Sequence, residues 1–363
     1  MGFRCGIVGL PNVGKSTLFN ALTRSGVDAQ NYPFCTIEPN TGIVEVPDER
    51  LNRIAAICKP ERVIPTVIEF VDIAGLVAGA SQGEGLGNKF LSHIREVDAV
   101  AHVVRAFVDD DVTHVADRVD PIADIETINT ELALADLDTA GRALDRANKA
   151  SKSGDKAQIR LRDFLETVRD HLDTGSPARS MDLDDTSRQL LKPLCLLTAK
   201  PMMYICNVAE DELDGNPLVD QVHAVADKEN ADIVVVSAAV EQEISELDEA
   251  ERCEFLSAMG LDESGLDRVI RAGYHLLGLN TFFTAGKKEA RAWTFRKGAS
   301  APQTAGVIHT DFERGFIRAE TIEYDDYVRY NGEQGAKEAG RMRLEGKEYI
   351  VQDGDIMHFR FNV

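Results

Sequence analysis

Gly9-Leu10-Pro11-Asn12-Val13-Gly14-Lys15-Ser16 is a complete G-x-x-x-x-G-K-S loop near the N-terminus, and it constrains the fold more than any other feature. Phe3-Arg4-Cys5-Gly6-Ile7-Val8 before it reads as a short buried strand, and Thr17-Leu18-Phe19-Asn20-Ala21-Leu22 after it opens a helix. Gly9 and Gly14 let the backbone curl so that several N–H groups point at one anion. Lys15 brings positive charge to β- and γ-phosphates, and the Ser16 hydroxyl suits Mg²⁺. The helix N-terminus faces the same phosphates. Strand, loop and helix in this order imply a nucleoside phosphate site on an α/β sheet.

The first hundred residues continue the alternation. Gly42–Val46, Thr66–Asp72 and Ala99–Val104 read as strands, with helical stretches around 48–58 and 88–96. This pattern implies a mostly parallel sheet covered on both faces. It stops at Ile128. From there to Leu172 apolar residues fall at helical spacing, with Leu132, Leu134, Leu137, Ala140 and Leu144 on one face and Ile159, Phe164, Leu165 and Val168 on another. Ser153-Gly154-Asp155 breaks the run, so two antiparallel helices joined by a tight turn are expected. Met202–Cys206 and Ile233–Val236 resume the sheet, which makes 128–200 an insertion within a nucleotide domain of residues 1–280. Residues 281–363 are richer in glycine and aromatics. With strands at Arg291–Phe295 and Glu348–Val351 and a helix near Gln303–His309, they read as a small α+β module.

The net charge of −21 argues against nucleic-acid binding by the whole surface. Residues 281–363 are neutral, so residues 1–280 carry the excess. Within that acidic part, Arg142, Arg146, Lys149, Lys152, Lys156, Arg160 and Arg162 face only Asp145 and Asp155, a local balance of +5. Such a run is either a solvated helix face or an RNA-facing patch. No apolar run is long enough to cross a bilayer, and a signal-peptide pattern is absent. Six scattered cysteines without a C-x-x-C pair read as buried free thiols in a cytosolic protein.

Residues downstream of the loop narrow the chemistry. Thr36, between the first helix and the next strand, can give its hydroxyl to Mg²⁺ and its N–H to a γ-phosphate. Asp72-Ile73-Ala74-Gly75 ends a strand as D-x-x-G, so Asp72 can hold the metal through water and the Gly75 N–H can meet the γ-phosphate. Gly79, Gly83, Gly85 and Gly87 follow in a segment able to change shape on hydrolysis.

A guanine site uses Asn-Lys-x-Asp after a strand, whereas this chain has Asn207-Val208-Ala209-Glu210. Val208 removes the lysine that packs on the base, and Glu210 is one methylene too long. A carboxylate aimed at adenine N1 is repelled, while Asn207 can pair with N6–H or N7. One lost buried hydrogen-bonding match costs on the order of 1–3 kcal/mol, enough to reverse a base preference. Ser237-Ala238-Ala239 fits the loop beside the base.

These residues together resemble a YchF-type Obg-like ATPase, a branch of the translation-factor class of P-loop NTPases. The similarity spans the chain. It includes the phosphate loop, Tyr32-Pro33-Phe34-Cys35-Thr36, the segment from Asp72 to Leu91, the altered Asn-x-x-Glu, and Ala301-Pro302 through Ile308-His309-Thr310-Asp311-Phe312. The resemblance implies a P-loop α/β domain with an inserted helical hairpin (a coiled coil) and a C-terminal β-grasp (TGS) domain. It implies slow, Mg²⁺-dependent hydrolysis of ATP in preference to GTP, a cytoplasmic location and association with ribosomes. The ribosomal partner is taken as the large subunit or its RNA, with no membrane and no sequence-specific DNA. Candidate nucleotide-binding residues are Gly9, Asn12, Val13, Gly14, Lys15, Ser16, Thr17, Asn207, Val208, Glu210 and Ser237. Ser16, Thr36 and Asp72 are the metal candidates, and Lys15, Gly75 and His114 the catalytic ones. Leu76 stands where Ras-like enzymes carry the water-orienting glutamine, so slow turnover is expected and His114 is the candidate surrogate. Asn12 stands where some relatives bind K⁺. The alternatives are an Obg-type GTPase with a degenerate base motif, and a binding module stabilised by nucleotide.

Overall fold

The computed structural model describes residues 3–24, 40–74, 86–109 and 119–362. The chain divides into two compact units, one of Met1–Val44 with Glu69–Gly273 and one of Glu45–Ile68 with Tyr274–Val363.

Strands are numbered in chain order. The first unit is built on β1 (Arg4–Val8), β2 (Thr41–Glu45), β4 (Val67–Asp72), β5 (Ala99–Arg105), β6 (Met202–Asn207) and β7 (Asp232–Val236). Their order is β2-β4-β1-β5-β6-β7. Pairing is parallel from β4 through β1, β5 and β6 to β7. Every residue of β5 and β6 is buried, as expected for central strands whose two faces are both covered. The register sets Val8 opposite His102, Arg105 opposite Asn207, and Asn207 opposite Val236. The C-terminal ends of β1, β5, β6 and β7 therefore share one rim, where ligands bind in open α/β sheets.

The insertion is a pair of helices, Pro121–Ser151 and Lys156–Asp173. Asp120 caps the first by accepting from Ala123 N at 3.1 Å, with Pro121 in its opening turn. Asp155 caps the second by accepting from Ala157 N at 2.9 Å. Ala143, Leu144 and Ala147 pack against Leu165. Leu134 departs from the expected face and is exposed. Lying two residues from buried Leu132, it is rotated by roughly 200° around the helix. At the base, the buried Asp136 carboxylate accepts from Leu197 N and Thr198 N, both at 2.8 Å. This ties the hairpin to the chain entering β6.

The second unit contains β3 (Arg62–Ile64), β8 (Leu279–Ala285), β9 (Glu289–Arg296), β10 (Phe316–Ile322), β11 (Arg343–Glu345) and β12 (Ile356–Phe361), in the order β11-β10-β12-β8-β9-β3. Phe282, Phe295, Ala301, Ala305 and Phe359 belong to one core. Leu51 and Ile54, from the helix Glu49–Cys58, join Phe283, Ala292 and Ile356 in another. Residues 45–68, which the sequence pattern assigned to the nucleotide domain, cluster instead with this unit. The expected strand at Glu348–Val351 is absent: the segment makes a single Ser300–Ile350 bridge, flanked by bonds from Ala301 N to the Tyr349 carbonyl and from Val351 N to the Ala299 carbonyl, and pairs no further.

Candidate functional site

The phosphate loop leaves β1 on the shared rim and enters the helix Lys15–Arg24, whose first turn carries Ser16 and Thr17. Its tight turn places Asn12 at φ 63° and Gly14 at φ 89°. Gly9 is required on space, and Gly14 on both space and conformation. A Cβ on Gly9 would lie 2.8 Å from the Val103 carbonyl oxygen, and one on Gly14 would lie 2.2 Å from Asn207 Nδ2. Val13 is buried beneath the loop, while Asn12 and Ser16 are exposed.

Lys15 is nearly buried, and its ammonium makes a hydrogen-bonded ion pair with Asp72 at the end of β4. The cation expected at phosphate and the carboxylate expected at metal thus lie side by side. Ser16 and Asp72 fit Mg²⁺ by donor chemistry: both offer hard oxygen, and Mg²⁺ is held by one or two carboxylates plus phosphate oxygens and water. No cluster of three or more His, Cys, Asp or Glu side chains able to hold a metal occurs among the described residues.

Asn207 has a different part from the one expected of a base reader. Its buried amide donates to the Val13 carbonyl at 2.9 Å and accepts from Ala238 N at 2.9 Å. It therefore clamps the phosphate loop to the loop that follows β7. Val208 is buried, with its N–H donating to the Val236 carbonyl. Glu210 is exposed at the start of the turn Glu210–Glu212. Ser237 is buried and begins the helix Ala238–Ile244.

The rim holds residues that sequence reasoning passed over. Arg105, buried at the end of β5, donates from Nε to the Phe107 carbonyl and from Nη2 to the Asp109 carbonyl, both at 3.2 Å. Its guanidinium lies 4.5 Å from the Phe107 ring centroid. Asn216 Nδ2 donates to the Ala106 carbonyl at 2.7 Å, while its Oδ1 accepts from Leu218 N and Val219 N. Asn216-Pro217 was a legible helix-start signal, and Arg105 showed only as a lone charge ending an apolar run. Glu241 accepts from Gly265 N and Leu266 N, and burial pushes its carboxyl above the usual range. Thr36, Gly75, Leu76, Gly79, Gly83, Gly85 and His114 lie outside the described residues.

Two cysteines fit the sequence reading: Cys5 and Cys206 are buried, and burial pushes both thiols up to about 12. Cys195, which follows the turn Lys192–Leu194, and Cys253, in the helix Glu249–Ala258, are exposed instead. No helix among the described residues is long and apolar enough to cross a membrane.

Comparison with known proteins agrees with this architecture. The family model described as 50S ribosome-binding GTPase matches residues 4–136, and the C-terminal YchF-GTPase model, described as a protein of unknown function, matches residues 279–362. The chain is 63% identical to the ribosome-binding ATPase YchF of Pasteurella multocida and 56% identical to that of Bacillus subtilis, covering 100% of both chains in each case. The solved structure of the Schizosaccharomyces pombe YchF GTPase superposes with a TM-score of 0.89 at 39% identity, over 99% of this chain and 98% of that one. With full-length identity at this level and a shared fold, the chain belongs to the YchF family.

Proposed function

We propose that this chain is a slow, Mg²⁺-dependent ATPase whose nucleotide state sets its affinity for the ribosome. The observation that carries the base preference is the end of β6. A buried Val208 and an exposed Glu210 stand where a guanine site needs a lysine stem and a short carboxylate. Relatives from 56% to 63% identical bear the name ribosome-binding ATPase. The N-terminal family description favours the large subunit, and ribosome binding favours a cytoplasmic location.

Lys15 places its ammonium at the β- and γ-phosphates after exchanging its contact with Asp72, and Asn207 holds the loop that presents the backbone N–H groups. Ser16, Thr36 and Asp72 would hold Mg²⁺, which would supply positive charge against the phosphates. Water attacks the γ-phosphorus as the bond to the β–γ bridging oxygen breaks, giving ADP and inorganic phosphate. The Gly75 N–H meets the γ-phosphate, and His114 orients the water in place of the glutamine that Leu76 replaces. Turnover unchanged in His114→Ala removes that last role. Asn12 would contribute to a K⁺ site, and equal rates in sodium and potassium buffers rule it out.

Titration calorimetry with ATP and GTP in Mg²⁺ tests the base preference. ATP binding tenfold or more tighter is expected. Equal or tighter GTP binding favours the alternative GTPase reading, which the N-terminal family description also supports. Co-sedimentation with separated subunits, under a non-hydrolysable ATP analogue and under ADP, tests the switch. Binding that is the same in both states leaves a nucleotide-stabilised binding module.

A further inference from the structure

Near the phosphate loop, a buried carboxylate has both oxygens committed to a helix further along the chain. Glu241 is 1% exposed and sits in the first turn of the helix Ala238–Ile244. Its Oε1 accepts from Gly265 N at 2.7 Å and its Oε2 from Leu266 N at 3.2 Å, the first two N–H groups of the helix Gly265–Leu276. A carboxylate is costly to bury without partners, and the first N–H groups of a helix have none within the helix itself. A Cβ on Gly265 would lie 2.7 Å from Glu241 Oε1 and 2.8 Å from Val236 Cγ1, so only glycine lets the helix start reach the carboxylate.

The helix Gly265–Leu276 has a cap of its own. Ser264 Oγ accepts from Asp267 N and from Arg252 Nη2, both at 3.1 Å, and Arg252 also pairs with Asp267. Arg268 donates from Nη2 to the Val235 carbonyl at 2.9 Å, on the strand that leads into Ser237. The bonds to Glu241 therefore serve to tie one helix to another. The helix that carries Glu241 packs against the phosphate helix Lys15–Arg24. Its first N–H, from Ala238, goes to Asn207 Oδ1, and Asn207 Nδ2 goes to the Val13 carbonyl. A Cβ on Gly14 would come within 3.5 Å of Ala238 Cβ. The start of this helix is thus a wall against which the phosphate loop rests.

We propose that Glu241 is a positioning residue for nucleotide binding: by anchoring its helix to the start of the helix Gly265–Leu276, it holds Ala238 against Asn207 and so fixes the phosphate loop. The proposal rests on the reading of that loop as the ATP site. Asn207 Oδ1 accepts from Ala238 N, and that N–H stays in place only while the helix behind it does. Loosening the anchor lets Ala238 N withdraw, which frees the Asn207 amide to leave the Val13 carbonyl. Lys15, Ser16 and Asp72 keep their own contacts. The loss therefore falls on affinity and spares the bond-breaking step. It falls on ATP and GTP alike, because the phosphates are common to both.

The test is Glu241→Gln in the full chain, which keeps the shape but turns a donor toward one of the two helix N–H groups. Titration calorimetry with ATP and with GTP in Mg²⁺ should show both binding more weakly by about tenfold. ATP turnover at saturation should stay within about twofold of the parent. Gly265→Ala forces a Cβ onto Oε1 while leaving the carboxylate in place, and it should reproduce the loss. Ser264→Ala removes the helix's own cap and spares the Glu241 bonds, so nucleotide affinity should hold. Added to Asn207→Ala, Glu241→Gln should cost no more than about twofold further, because both variants undo one link. Losses that multiply, or unchanged affinity in Glu241→Gln and Gly265→Ala, overturn the proposal. An equal loss in Ser264→Ala also overturns it, since the stability of the helix start would then set affinity. A loss confined to ATP overturns the route through the phosphate loop. Wild-type protein that binds neither nucleotide overturns the ATPase reading together with this one. Wild-type protein that prefers GTP overturns the base preference alone, and equal losses in the variants still support Glu241.

Discussion

Asn207 links two loops that a base-reading side chain alone would leave separate. Removing its amide strands the Val13 carbonyl and the Ala238 N–H in a buried setting, at about 1–3 kcal/mol each. Asn207→Ala should therefore weaken ATP and GTP alike, by tenfold or more, because the phosphate loop itself loosens. Calorimetry that shows a loss for ATP only would assign Asn207 to the base instead. His102 is a second residue whose environment decides its behaviour. It is fully buried in β5, neither ring nitrogen has a partner among the described residues, and burial followed by the charge of Arg179 drives its pKa down to about 3. The unfolded chain takes up this proton below pH 6.5 while the folded chain does not, so stability falls as pH drops from about 6.5 toward 3. His102→Leu removes that penalty. In urea denaturation its gain over the parent should be larger at pH 5 than at pH 7.5 by about 2 kcal/mol. An equal effect at both pH values would show that His102 titrates normally in the folded state. At this scale the phosphate loop was legible because each fixed position has one job. The clamp made by Asn207 and the buried His102 were not legible, since both depend on which strands lie side by side.

Among the elements, the segment 45–68 is the most informative departure from the sequence pattern. β3 is three residues long, two of them exposed, and it pairs with β9 more than 200 residues away. No periodicity announces such a strand. The helix beside it was visible from its apolar spacing, but not the core it serves. Leu51 and Ile54 pack with Phe283, Ala292 and Ile356, and Arg50 pairs with Asp353 at 2.6 Å. Ile54→Ala should therefore destabilise the second unit by about 2–5 kcal/mol, although residue 54 precedes that unit's main segment by over 200 positions. The single tryptophan, Trp293, lies on β9 and reports the loss directly. Unfolding followed by its fluorescence should shift to lower urea in the variant. An unchanged Trp293 transition would mean that the helix Glu49–Cys58 contributes nothing to this core. The hairpin was more legible, because Gly154 and two Asp caps mark its turn and helix starts in the sequence itself.

For the whole molecule, the consequence is that the chain crosses between its units three times, after Val44, after Ile68 and after Gly273. The first two crossings fall within β2 and β4, and β4 ends at Asp72, the partner of Lys15. A C-terminal module joined only by a linker would unfold without regard to nucleotide. A unit whose own core includes residues 45–68 is tied at both ends of that segment to strands of the nucleotide sheet, so ordering one end constrains the other. Ligand at 100 times its Kd stabilises the state that binds it by about 2.7 kcal/mol. ATP with Mg²⁺ should therefore raise the Trp293 transition as well as the loss of helical signal, and the two should stay coincident. If saturating ATP moves the helical transition and leaves the Trp293 transition in place, the units unfold independently. The threading of residues 45–68 would then be a matter of topology with no energetic link to the nucleotide site.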